Sequence, residues 1–190
     1  QAFSMEHVAK NPAVFEIDKL NWINQHYMRQ LDEEAFFAAA KPHMVAAGYM
    51  TGDECGEKLE WLKRVVATAK EHVAFAAQIP ECVAMYFSDE FEFENAEAAA
   101  VLQEESVPVM NMLFEELPKL EVLDGPAVKA AFKAIQKATK LGGKAVFMPI
   151  RVALTGNQHG PELAEMVPLL GLERTEARIR ASLAKAGITL

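Results

Sequence analysis

An all-helical chain of two consecutive bundles is the fold class that the sequence predicts, and three observations predict it. Apolar residues recur at three- and four-residue intervals rather than alternating. Ala, Leu, Glu, Lys and Met, strong helix formers, dominate the segments. Evidence for strands is thin throughout, while an acidic, aromatic stretch from Phe87 to Asn95 breaks the helical pattern near the middle and reads as a connection between two units, 1–90 and 91–190.

The elements follow in order. Asp18 to Leu31 places Leu20, Ile23, Tyr27 and Leu31 at helical spacing, with Asp18 as a plausible N-cap. Asp32 opens the next helix, which runs through Phe36, Phe37, Ala40 and Met44 to a C-capping Gly48, with Pro42 as a possible bend. A long helix is expected from about Asp53 to Gln78, ending before Pro80. In the second unit Asn95 caps a helix over Ala96 to Gln103, and another spans Val107 to Leu117 before Pro118. Asp124-Gly-Pro starts a helix with Pro126 in a favoured first-turn position. Gly142 and Gly143 supply a turn, a short helix presents Arg151, and a polar loop from Thr155 to Pro161 leads into a helix through Val167. A last amphipathic helix is expected to carry Arg174, Arg178 and Lys185 over Ile179 and Leu183.

Composition bounds the function. With 190 residues and 51% apolar content the chain can bury one sizeable core or two small ones. No stretch approaches the roughly 20 apolar residues that a membrane span requires. The start, Gln1-Ala-Phe-Ser-Met-Glu, is not a signal peptide and has no initiator Met, which suggests a piece of something longer. Cys55 and Cys82 have no partner at metal-ligand spacing and read as reduced thiols of a cytoplasmic protein.

The formal charge of −8 conceals a partition. Residues 125–190 carry 10 Lys and Arg against 4 Asp and Glu, a net +6, and the preceding 124 residues carry 9 against 23, a net −14. A localised basic surface can hold a polyanion whatever the total charge. Lys129, Lys133 and Lys137 form a basic stripe along one helix, which taken alone reads more readily as a solvated face opposite Ala130, Ala131, Ala134 and Ile135.

No catalytic signature stands out. Gly142-Gly143-Lys144 lacks the rest of a phosphate loop, and His7, His26, His43, His72 and His159 show no helical metal spacing. Glu104-Glu105 and Glu115-Glu116 are adjacent on helices and diverge rather than pairing for acid/base work. No metal site and no catalytic residue is expected.

Two segments carry a resemblance. Phe15-Glu-Ile-Asp-Lys-Leu-Asn-Trp-Ile-Asn-Gln-His-Tyr is similar to the segment that follows the catalytic half of bacterial glutamyl-tRNA synthetases. Gly143-Lys-Ala-Val-Phe-Met-Pro-Ile-Arg-Val-Ala-Leu-Thr-Gly-Asn-Gln-His-Gly-Pro-Glu-Leu resembles that family's G-x-x-x-x-M-P-[LI]-R-x-A-x-T-G-x-x-x-x-P-x-L signature. The resemblance covers essentially the whole chain and implies the carboxy-terminal, anticodon-binding part of such a ligase. It implies glutamate tRNA as partner, with glutamine tRNA as a second one in members of the relaxed type, and neither DNA nor a membrane.

The family's two ATP-site signatures, with the ATP and magnesium they serve, are absent from this chain, so the resemblance implies an active parent enzyme, no cofactor here and a fragment without aminoacylation. It assigns anticodon contacts to Arg151, Gly160, Pro161 and Leu163. The position at which strict members place an Arg to read the third anticodon base falls on His72. The neighbouring Ala74-Phe75-Ala76-Ala77 looks closer to the relaxed members. Lys63, Arg64, Lys129, Lys133, Lys137 and Lys144 are candidates for phosphate contacts. Pro161 as a plain helix start and Leu163 as a core residue are the competing readings from the residues themselves. For the whole chain, a helical protein-interaction module is the alternative.

Overall fold

A computed structural model of the chain describes residues 16–88 and 92–189. Among them are ten α-helices, joined in places by short 3-10 turns, and no strand. Phe15 and the expected boundary at 90/91 lie outside the described residues.

Helix α1 (Ile17–Gln30) begins one residue ahead of Asp18; Glu16 occupies the cap position without a side-chain bond, and Asp18 sits in the first turn, where its charge favours the helix dipole. Helix α2 (Glu33–Ala46) starts as its sequence dictates, with the Asp32 carboxylate accepting from the Ala35 N–H at 2.8 Å. It ends in a paired C-terminal motif in which the Tyr49 N–H donates to Met44 O and the Gly48 N–H to Val45 O, both at 3.0 Å. That geometry needs φ +75° at residue 48, which glycine supplies.

The expected helix from Asp53 to Gln78 is in fact divided. Helix α3 (Gly56–Ala67) stops because the following residues find other partners. The Thr68 hydroxyl turns back onto Val65 O at 2.7 Å, and the N–H groups of Thr68, Ala69, Lys70 and His72 bond three residues back. The Glu71 carbonyl, which a continuous helix would use for the N–H of residue 75, instead accepts from Gln25 Nε2 at 3.0 Å and Arg29 Nη2 at 2.9 Å. Helix α4 (Ile79–Val83) then resumes with Pro80 in its first turn, so the proline starts a helix rather than following one.

Ahead of α3, the Glu54 carboxylate accepts from the N–H groups of Thr51 and Gly52, the latter at 2.9 Å. The Thr51 N–H above all, followed by the N–H groups of Glu54 itself and Gly52, holds this carboxyl at about 2 rather than 4.5. A depressed carboxylate stabilises the folded chain above pH 4.5, and that contribution is lost as pH falls from 4.5 towards 2. Glu54→Gln is therefore expected to lower the urea midpoint at pH 6 and to match the parent below about pH 2. Equal differences at both pH values would remove the carboxylate from the account.

In the second half, Asn95 caps α5 (Ala96–Ala99) through the Ala98 N–H at 2.8 Å, and the helix is shorter than expected because Gln103 and Ser106 form a reciprocal cap of their own. Helices α6 (Val107–Glu116), α7 (Gly125–Thr139) and α8 (Gly143–Thr155) follow. Asp124 caps α7 through the Ala127 N–H at 2.8 Å. Helix α9 (Leu163–Leu170) begins two residues past Pro161, and α10 (Leu172–Lys185) closes the fold.

Phe36, Ala40 and Met44 of α2 pack with Leu62, Val65 and Val66 of α3 and with Ile79 and Val83 of α4. In the second half α7 and α8 pack with α6, α9 and α10 around Phe132, Ile135, Ile150 and Leu154. Each such Leu, Ile, Val, Phe or Met side chain, fully removed from water, contributes about 1.5–3 kcal/mol. The two halves share one continuous apolar cluster. At the junction Trp61 Nε1 donates to Leu169 O at 3.0 Å, and Phe87 stacks on Tyr49 with ring centres 4.3 Å apart.

Candidate functional site

Three of the residues singled out in the sequence line one cleft of about 700 Å³ between the two halves: His72, Gly160 and Pro161. They arrive from separate elements. His72 belongs to the turn after α3, not to a helix, and lies exposed at the mouth. Partial burial of its ring lowers its pKa, the charges of Arg151 and Arg29 act in the same direction, and Glu71 opposes them. These influences favour the neutral imidazole, which offers one donor and one acceptor.

Gly160 and Pro161 come from the loop after α8. Gly156 ends that helix at φ +77°, and its carbonyl accepts from the Glu94 N–H at 3.0 Å, which ties the loop to the segment entering the second half. At the far end Arg151, on α8, donates from Nη1 to Pro161 O at 2.7 Å. A Cβ on Gly160 would lie 3.6 Å from the same Nη1, and its φ of +144° disfavours any side chain. The loop is thus fixed at both ends.

Arg151 does not line that cleft. It lies behind the loop, facing an adjacent groove of about 490 Å³ together with Leu163, Lys129 and Lys133. Burial lowers its pKa, and Glu162 opposes that shift. Leu163 belongs to the core, 4% exposed, and meets the groove only with what little surface it keeps.

The lysines differ in circumstance. Lys129 is bound to Glu162 at 2.8 Å, whereas Lys133 and Lys137, farther along the exposed face of α7, have no ion pair among the described residues. Lys63 is engaged twice, by Glu34 at 2.7 Å and Glu60 at 3.6 Å, and those carboxylates hold its charge. Arg64 is exposed on the same helix. Lys144 lines a third groove on a different face, with Glu105 and Met148.

The cleft also contains Tyr49, Glu81, Thr155, Asn157 and His159, which sequence reasoning did not single out. Thr155, Asn157 and His159 could have been found, because they share the polar loop with Gly160. Tyr49 and Glu81 gave no signal, since they reach the cleft only through the packing of α2 and α4. Glu81 and Glu92 disfavour phosphate within this cleft, and carboxylates accept from the exocyclic amino groups of bases. The basic groove next door has the opposite preference.

These features define a helical recognition module in which a polar cleft adjoins a basic groove, and the described residues contain no group of side chains that could hold a metal ion. The chain belongs to the family described as the anticodon binding domain, which matches residues 35–183. It is 42% identical over 184 residues to the glutamate–tRNA ligase of Desulforamulus reducens, covering 96% of this chain and 38% of that protein. It is 38% identical over 181 residues to the glutamate–tRNA ligase of Bacillus subtilis, with 95% and 37% covered. The chain thus spans somewhat more than a third of the length of these relatives.

The fold is similar to that in the crystal structure of a glutamate tRNA ligase from Elizabethkingia meningosepticum in complex with its amino acid. The TM-score is 0.75 at 24% identity, over 97% of this chain and 35% of that one. No helix among the described residues is long and apolar enough to cross a membrane.

Proposed function

We propose that the chain reads the anticodon of glutamate tRNA as part of a glutamate–tRNA ligase. The observation that carries this reading is the convergence of His72, Gly160 and Pro161 on one cleft, with Arg151 securing the loop and the lysines of α7 beside it. Unstacked anticodon bases are read by their edges and faces, which suits the neutral imidazole, the loop backbone and the amides and carboxylates of the cleft. Lys133 and Lys137, with Arg64 and Lys144 as outlying cations, hold the phosphates. Lys63 and Lys129 contribute less, because each would first have to leave a carboxylate.

Adenylate formation and aminoacylation, with their ATP and magnesium, belong to the part of the relatives' length that this chain does not span. The chain alone supplies recognition and no catalysis. His72 is shorter than an arginine and uncharged, which favours relaxed recognition of the third base and acceptance of glutamine tRNA as well.

The test is filter binding of glutamate tRNA, glutamine tRNA and an unrelated tRNA across a salt series. Both named tRNAs are expected within about tenfold of each other and well ahead of the unrelated one, with affinity falling steeply as salt rises. Arg151→Ala should weaken glutamate tRNA by about tenfold or more, while Lys129→Ala costs about threefold or less. Equal losses that ignore anticodon sequence, or no tRNA binding at low salt, would overturn base reading and favour a protein-interaction module.

A further inference from the structure

We propose that Arg29 is a positioning residue for His72, holding the Glu71–His72 turn from outside the bundle and so setting how the imidazole presents itself to RNA. The inference rests on the assignment of His72 to base contact above, and its test separates the two.

The Glu71 carbonyl and the His72 N–H belong to one peptide unit, and both ends of that unit are engaged. The His72 N–H donates to Ala69 O at 2.9 Å within its own turn. The Glu71 carbonyl has no helical partner and accepts two donors from α1, Arg29 Nη2 at 2.9 Å and Gln25 Nε2 at 3.0 Å. Arg29 also grips the carboxylate of the same residue, with Nε 2.8 Å from Glu71 Oε2. A planar guanidinium can span main chain and side chain of one residue at once, whereas an ammonium offers no such fork. Lys70 adds a return contact to Leu31 O, so the turn and the end of α1 are tied in both directions.

The source of this grip matters. Helix α1 has no buried residue and lies ahead of residues 35–183, which the family match covers. The orientation of His72 is thus controlled by an element outside the matched module. The Arg29 and Glu71 side chains are 45% and 65% exposed, a setting in which ion pairs contribute little to folding. Loss of Arg29 should therefore leave the fold intact and disturb the position of the turn.

Five forms of the chain test this: the parent, Arg29→Ala, Arg29→Lys, His72→Ala and the double variant Arg29→Ala/His72→Ala, which completes a cycle. Affinity is measured for glutamate tRNA and for the same tRNA with its third anticodon base exchanged, and the His72 ring resonances are recorded without RNA. Both Arg29 variants are expected to reduce discrimination at that base roughly fivefold, and Arg29→Ala should have no further effect in the His72→Ala background. The ring resonances of Arg29→Ala should shift or broaden while its melting temperature stays within about 4 °C of the parent.

Unchanged ring resonances would overturn the proposal. So would equal weakening of both RNAs with a shallower salt slope, which would make Arg29 a phosphate contact. If His72→Ala leaves discrimination intact while Arg29→Ala still disturbs the ring, the positioning role stands and the base-reading assignment of His72 falls.

Discussion

Gly156→Ala is expected to destabilise the chain by about 3 kcal/mol or more and, on the proposed function, to abolish measurable anticodon discrimination at ordinary temperatures. An added Cβ would sit 2.0 Å from Glu92 O and 3.0 Å from Glu92 C, and these are main-chain atoms that cannot swing aside as a side chain would. The φ of +77° adds the separate cost of a left-handed residue, about 1–2 kcal/mol. The Glu94 N–H bond to Gly156 O must move with any relief of the clash, and with it the anchored end of the cleft loop. Gly187→Ala is the control, because Gly187 has the same φ of +77° with nothing within 4 Å of its Cβ. Thermal melts should show the loss in Gly156→Ala exceeding that in Gly187→Ala by about 2 kcal/mol. Equal losses would mean that backbone conformation, not the approach of residues 92–93, requires glycine at 156.

The second large effect concerns Arg178, which the amphipathic pattern of the last helix places among exposed cations. It is instead 5% exposed on the inner face of α10, beside Thr175, Ile179 and Ser182. Its Nε donates to Leu154 O at 2.8 Å and its Nη1 to Ser88 O at 2.9 Å. Leu154 lies in the last turn of α8, whose carbonyls lack helical donors, so a buried cation there meets both the orphaned oxygens and the negative end of the helix. Ser88 belongs to the end of the first half, and Arg174 likewise donates to Tyr86 O. The last helix thereby fastens the two halves that form the cleft.

Arg178→Ala is expected to cost about 3 kcal/mol, from unsatisfied carbonyls and the space left behind, and to lower the melting temperature by about 6–12 °C. Arg178→Lys should cost about half as much, since one donor direction survives. On the proposed function, weakened tRNA binding should follow in both variants, since Arg178 holds the two halves together and also lines the cleft. A melting temperature unchanged in Arg178→Ala would remove the residue from the account of stability.

Lys63 shows the same limit on reading charge from sequence. As a letter it is a surface cation on a helix, yet two carboxylates occupy it, one of them Glu34 from the preceding helix. Leu163 falls within a motif associated with RNA contact, while its side chain belongs to the core. The Glu34 partner is not encoded in local spacing, whereas the core placement of Leu163 is the reading that the residues themselves gave.

Interactions that close within a few residues were legible from the beginning. Asp32, Asn95 and Asp124 each bond an N–H three residues on, and Gly48 ends α2 through bonds to residues just behind it. Residue type and short spacing determine such contacts without reference to the rest of the chain. The bond from Arg151 to the Pro161 carbonyl, ten residues on, is not among them: the resemblance implied only that Arg151, Gly160 and Pro161 contact the anticodon.

Tertiary structure decided the rest. The sequence by itself determined an all-helical chain, its main caps and the loop that carries Gly160 and Pro161. The break after Ala67 needed donors from Gln25 and Arg29, more than 40 positions away, to compete for the Glu71 carbonyl. The burial of Arg178 needed the end of α8 and residue 88 to arrive beside α10. Helical periodicity records which side chains are apolar, not which distant carbonyl lacks a donor. The placement of His72 across the cleft from Gly160 therefore became visible only when the two halves were packed together.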